Sequence, residues 1–164
     1  MERFEDRQPP QRAQSSDDCA RVERLDHVGI VVADADKAAE YYRDALGIPV
    51  LHDERLSPVG VRLVYLDMGE PMLQLVEPIG PGNVRDHFEA HGEGLHHLCF
   101  AVHDIPRLLA VLPGEGGNKV FQGGRERLAC FLRATPNGVL IEVTELTRRS
   151  LAYLDHEFGE IADL

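Results

Sequence analysis

From Leu25 to Val32 the chain reads Leu-Asp-His-Val-Gly-Ile-Val-Val, a Val- and Ile-rich run with weak alternation that predicts a half-buried strand. Apolar spacing then becomes helical from Asp36 to Leu46 and stops at Gly47. Three short strand patterns follow, at about 49–54, 60–68 and 71–77, with Gly69-Glu70 as the turn between the last two. Pro78 to Gly82 reads as a linker and Asn83 to Ala90 as a short helix. The same order then recurs. A strand pattern covers 95–102, a helix near 105–112 can start at Pro106, a short strand falls near 118–121, and strands at 127–134 and 138–145 flank Asn137-Gly138, a strong hairpin signal. The pattern predicts an α+β fold of two βαβββ modules, residues 24–82 and 94–146, that share one core.

Each end carries a segment outside this pattern. Residues 1–23 are polar, acidic and proline-bearing, the composition of a flexible extension. Residues 147–164 set Leu151, Tyr153, Leu154, Phe158 and Ile161 among charges, which fits a surface helix packing on the body or on a second subunit.

The two halves are copies with chemistry inside them. Leu25 to Val32 matches Leu95 to Val102 at an offset of 70 residues, with His27 and His97 at the same point of each apolar run. Asp34 and Asp104 close the two strands at the same offset, where N-capping of the following helix explains them. Met72 to Glu77 likewise matches Leu140 to Glu145, so each module's last strand adds one oxygen donor, Gln74 or Glu142. Equivalent strand positions point to equivalent faces, and pseudo-twofold packing can bring all four together.

Two imidazoles, a carboxamide and a carboxylate form a mixed nitrogen and oxygen set. It suits Co²⁺, Mn²⁺, Ni²⁺, Fe²⁺ or Zn²⁺, in octahedral more often than tetrahedral geometry. Two open positions could then take a substrate with vicinal oxygens. Taken singly, each residue has a plainer reading: a satisfied core histidine, an exposed strand glutamine, a solvent-facing glutamate. Duplication favours the shared ion, because packing alone does not call for an oxygen donor within a Leu, Ile and Val run in both halves.

Composition narrows the partners. Formal net charge is −11 over 164 residues, which opposes nucleic acid or an anionic membrane surface as partner. No apolar run has the length of a membrane span. The cysteines Cys19, Cys99 and Cys130 form no CxxC and no even set, consistent with a reducing, cytoplasmic setting.

Leu25-Asp26-His27-Val28, Gly94-Leu95-His96-His97-Leu98 and Asn137-Gly138-Val139-Leu140-Ile141-Glu142 resemble the vicinal oxygen chelate (glyoxalase/bleomycin resistance/dioxygenase) superfamily, and within it the methylmalonyl-CoA epimerase family. The helix Ala38 to Gly47, Gly60-Val61-Arg62 and Gln74-Leu75-Val76-Glu77-Pro78 are similar too, so the likeness spans roughly residues 24–146. It implies an open cup around a divalent ion held by His27, Gln74, His97 and Glu142. Of the adjacent pair, His97 aligns with the ligand, and His96 is expected on the other face. The likeness also implies proton abstraction between a thioester and a carboxylate with enolate stabilisation, a small-molecule substrate of the acyl-CoA kind, and a homodimer.

Two positions depart from the epimerase pattern. Leu63 stands where a catalytic glutamate follows Gly-Val-x, and Asp67 lies four residues on, too far along the strand to replace it. Glu142 is then the expected base, loosening from the ion to carry the proton. Phe131 to Pro136 replaces a His-Pro-Lys segment, leaving Arg133 as a candidate for an anionic substrate group and Tyr65 as a candidate hydrogen-bond donor in the cup. The alternatives are a biosynthetic enzyme of this fold with another reaction, glyoxalase-type or dioxygenase, and a metal-free small-molecule binding protein. Four retained donors argue against the last two of these.

Overall fold

The structure is a computed structural model and describes residues 20–147. Among the described residues eight strands and three α-helices follow in the order β1 (Val22–Val31), α1 (Ala35–Leu46), β2 (Val50–Leu56), β3 (Val61–Leu66), β4 (Met72–Pro78), α2 (Asn83–His91), β5 (Gly94–Val102), α3 (Ile105–Val111), β6 (Phe121–Gln122), β7 (Leu128–Phe131) and β8 (Leu140–Glu145). All strands join one curled mixed sheet ordered β2-β3-β4-β1-β5-β8-β7-β6, a half-barrel. Each module pairs its first and last strands in parallel, β1 with β4 and β5 with β8, and the modules meet where β1 runs antiparallel to β5. This is the predicted α+β architecture of two βαβββ units. The flexible extension expected at the N-terminus and the surface helix expected near the C-terminus fall on residues 1–19 and 148–164, outside the described residues.

Helices α1 and α3 cover the outer face of the sheet. Val32, Ala35, Ala39, Val64, Leu66 and Leu75 form the core under α1, and Val102, Ile105, Leu108, Leu109, Leu128 and Val143 its counterpart under α3. Both helices start as their sequences require. The Asp34 carboxylate accepts from the Lys37 amide at 3.0 Å and that of Asp104 from the Arg107 amide at 2.9 Å. Gly47 ends α1 with φ 70°, a left-handed conformation that costs glycine little.

Bulges on the seam strands matter most for the site. Leu25 pairs with Phe100 and His27 with Cys99, so Asp26 is an extra residue on β1. Gly29 pairs with His97 and Ile30 with Leu95, so His96 is the matching extra residue on β5. An extra residue breaks strict alternation, and His96 therefore lines the cup beside His97, where simple alternation places it on the opposite face.

The third strand of the second module also differs from expectation. The pattern at 118–121 yields only the two-residue β6, and the strand expected over 127–134 stops at Phe131. Glu115 is the reason. Its carboxylate captures the amides of Arg133 at 2.8 Å and Ala134 at 2.9 Å and the Asn118 side chain, diverting both segments from the ladder into a loop.

Removing the second cap tests this framework. Asp104→Ala is expected to lower unfolding free energy by about 1 kcal/mol. Urea unfolding should show a lower midpoint with an unchanged slope, and Asp104→Asn should retain most of the stability.

Candidate metal centre

Strand register brings the four predicted donors together at the centre of the cup. On β1, His27 and Gly29 face inward; Gly29 is flanked by Gln74 on β4 and His97 on β5, and Cys99, beside His27, is flanked by Glu142 on β8. His27, Gln74, His97 and Glu142 are all buried, at 2%, 4%, 5% and 8% exposure. His27 Nε2 stands 3.2 Å from His97 Nε2, and Glu142 Oε2 lies 3.4 Å from the first and 3.1 Å from the second. Around one ion with bonds of about 2.1 Å, right-angled ligands sit about 3.0 Å apart and tetrahedral ones about 3.4 Å. The observed triangle has that size.

Proton bookkeeping also calls for a cation. Asp26 Oδ2 sits 2.8 Å from His27 Nδ1. Burial raises the Asp26 pKa, but its bond to His27 and the Arg125 charge outweigh that and hold it at about 2. An ionised Asp26 fixes the His27 proton on Nδ1 and aims the Nε2 lone pair at the triangle. His97 Nδ1 lies 2.8 Å from His96 Nδ1, and burial together with His97 and His87 holds His96 down at about 4, a neutral ring. When His97 offers Nε2, its Nδ1–H donates to His96. Three lone-pair atoms then converge, and only a cation or a proton stabilises them. Without an ion, a proton takes the place. Burial lowers the His27 pKa, yet Asp26 and Glu142 carry it above its ordinary value; Glu142 is pushed up by burial but held well below the carboxylate range by His27 and His97.

Gln74 is the candidate fourth donor, and its own amide settles which atom it could offer. Its Nε2 donates to the Tyr65 hydroxyl at 2.8 Å, which leaves the carboxamide oxygen as the ligand atom. The residues present thus fit a divalent ion: two imidazole nitrogens, a carboxylate and a carboxamide oxygen, with His27, His97 and Gln74 each turned by a partner.

The remaining sequence-derived candidates divide. Tyr65 is buried, lines the cup and is committed to Gln74, with the Arg125 guanidinium 4.8 Å above its ring. Arg133 does not reach the cup; it follows β7 and donates to the Gly117 carbonyl at 3.3 Å, drawn outward by the Glu115 loop. Asp67 lies past the end of β3 and accepts from the Gly69 amide. Leu63 lines the cup as hydrocarbon. The cavity is about 390 Å³, walled by Leu56, Val61, Val76, Phe121 and Phe131, with Lys119 at its edge.

Sequence reasoning missed Asp26, Gly29 and Arg125. Asp26 had a signal, because it precedes His27 as His96 precedes His97 at the same offset of 70. Gly29 had a weaker one, a glycine inside a strand pattern: a Cβ there would overlap the His97 ring. Arg125 comes from a loop with no counterpart in the periodicity.

This chain belongs to the glyoxalase/bleomycin resistance protein/dioxygenase superfamily, whose family model matches residues 26–131. Its relatives include methylmalonyl-CoA epimerases. The ethylmalonyl-CoA/methylmalonyl-CoA epimerase of Cereibacter sphaeroides is 29% identical over 134 residues, covering 76% of this chain and 99% of that protein. The uncharacterized protein YqjC of Bacillus subtilis is 29% identical over 130 residues, 76% of this chain and 93% of its own. Among solved structures, a variant of Streptomyces coelicolor methylmalonyl-CoA epimerase in complex with 2-nitronate-propionyl-CoA superposes with a TM-score of 0.69 at 30% identity, covering 79% of this chain and 99% of that one. Among the described residues no helix is long and apolar enough to cross a membrane.

Two measurements follow from the geometry. Gly29→Ala should displace the His97 ring and weaken Co²⁺ or Mn²⁺ binding at least about 10-fold, with an unchanged far-UV spectrum, because ligand placement and not folding is disturbed. The raised His27 pKa gives metal-free protein a stabilising contribution that is present below the ordinary histidine value and is lost as pH rises through the raised one. A metal must displace that same proton. The melting-temperature gain on adding metal should therefore widen between about pH 6 and about pH 8, and shrink on acidification.

Proposed function

We propose that this protein is a divalent-metal-dependent epimerase or isomerase that moves the proton between a thioester and a carboxylate, with methylmalonyl-CoA or a close alkylmalonyl-CoA as substrate. The observation that carries the reading is the triangle of His27 Nε2, His97 Nε2 and Glu142 Oε2, three lone-pair atoms within 3.4 Å of one another beside Gln74. The epimerase relatives support the substrate class. The relative holding a nitronate acyl-CoA supports it further, since a nitronate is a planar anion of the shape an enolate takes.

His27, Gln74, His97 and Glu142 would hold the ion. When bound, a divalent ion supplies Lewis acidity toward two adjacent substrate oxygens. Glu142 accepts the α-proton: the C–H bond breaks, its electron pair moves onto the thioester carbonyl, and the proton rests on a carboxylate oxygen. Inversion by this single carboxylate needs the planar carbon to turn over in the cup, so that the same carboxyl group returns the proton to the other face. Leu63, Val61 and Val76 keep water from the carbanionic carbon. Tyr65 holds the Gln74 carboxamide and so fixes the wall opposite Glu142.

Leu63 favours a second reading in which the ion is kept and the reaction changed, as in a biosynthetic enzyme with glyoxalase-type or dioxygenase chemistry. One experiment separates the two. Metal-loaded protein incubated with methylmalonyl-CoA in D₂O should incorporate deuterium at the α-carbon, and Glu142→Gln should slow this at least about 100-fold. Absence of exchange with Co²⁺ demonstrably bound overturns the acyl-CoA reading in favour of the second. Full exchange in Glu142→Gln removes Glu142 as the base.

A further inference from the structure

The loop Gly123–Arg127 follows β6, at one edge of the sheet, and reaches back across the cup to β2 at the other edge. Its anchor is the Arg125 amide, which donates to Glu54 Oε1 on β2 at 2.7 Å. Two consecutive residues other than glycine, Arg125 with φ 58° and Glu126 with φ 56°, adopt the left-handed conformation to make this crossing. Such backbone is costly and persists where surrounding contacts hold it. Gly124 is pressed against Tyr65 and Leu63 so closely that a Cβ has no room.

We propose that this strap is the positioning element of the metal centre, with Arg125 and Gly124 setting the orientation of His27 and Gln74; the inference rests on the metal-site reading. Two separate lines meet in it. Arg125 Nη2 pairs with Asp26 Oδ2, the oxygen that also bonds His27 Nδ1 at 2.8 Å. The same guanidinium lies 4.8 Å over the Tyr65 ring, whose hydroxyl takes the Gln74 amide at 2.8 Å. One residue of the second module therefore touches the orienting partner of each ligand of the first. Asp26 is fully buried, and a buried carboxylate without a countercharge is strongly disfavoured, so the pair is held in place. Arg127 adds a weaker contact to Asp26 Oδ1 at 3.3 Å. The planar fork of Arg125 fixes the carboxylate plane, which a lysine point charge does not do.

A strap that only closes the cup would make none of these contacts necessary for the ligands. The test is Co²⁺ titration read by visible absorption, together with melting temperature, in the parent protein, Arg125→Ala, Arg125→Lys and Gly124→Ala. Arg125→Ala should weaken Co²⁺ binding about 10- to 100-fold and alter the absorption bands, the size of effect typical of removing a ligand's hydrogen-bond partner. Millimolar guanidinium should restore part of the spectrum. Arg125→Lys should fall between Ala and parent, and it carries the test if Arg125→Ala does not fold. Gly124→Ala should shift the bands through Tyr65 and Gln74. A lower melting temperature with the parent's Co²⁺ affinity and spectrum in these variants would overturn the proposal and leave the strap a closing element. Failure of the parent itself to bind Co²⁺ would overturn the metal-site reading, and the positioning role with it.

Discussion

The antiparallel pairing of β1 with β5 is the constraint on which the site depends. It joins the two modules, and its register places Gly29 against His97 and His27 against Cys99. A slip of one residue would turn the imidazoles out of the cup, because side chains alternate between faces. The bulges at Asp26 and His96 refine this arrangement without disturbing it. Each adds a residue beside a candidate ligand and aims it at the Nδ1 of the next ring, 2.8 Å away in both cases. The backbone irregularity therefore supplies, twice, the hydrogen-bond partner that an oriented imidazole requires.

Charge balance at the centre follows from that geometry. Two buried carboxylates, Asp26 and Glu142, are kept ionised by opposite means: Asp26 by its bond to His27 and by the Arg125 charge, Glu142 by the two imidazoles. Asp26 is fully buried and Glu142 nearly so, and each has a partner in the other module. Arg125 and Glu142 come from the second module, Asp26 and His27 from the first. The centre is thus built from both halves. The apolar cavity wall then defines where a substrate carbon can sit relative to Glu142.

Much of this was legible in the chain because repetition and periodicity report strand order and facing directly. The βαβββ units, the caps at Asp34 and Asp104, the Asn137-Gly138 turn and the four converging donors all rest on local pattern plus a copied spacing. What escaped depends on contacts between distant segments. The face of His96 turns on a bulge set by the partner strand, which strict alternation cannot foresee. Arg133 points away because Glu115, 18 residues earlier, takes its amide. Arg125 reaches Asp26 across 99 positions of chain, and nothing in either local run announces the meeting.

The unlike residues at the two bulges have a consequence of their own. His27 is backed by an anion and His97 by a neutral ring, so electron density pushed toward the centre is unequal from its two sides. An ion held there would meet a stronger donor in His27 than in His97. Duplication supplied a symmetric frame; a single carboxylate at position 26 gives it a direction.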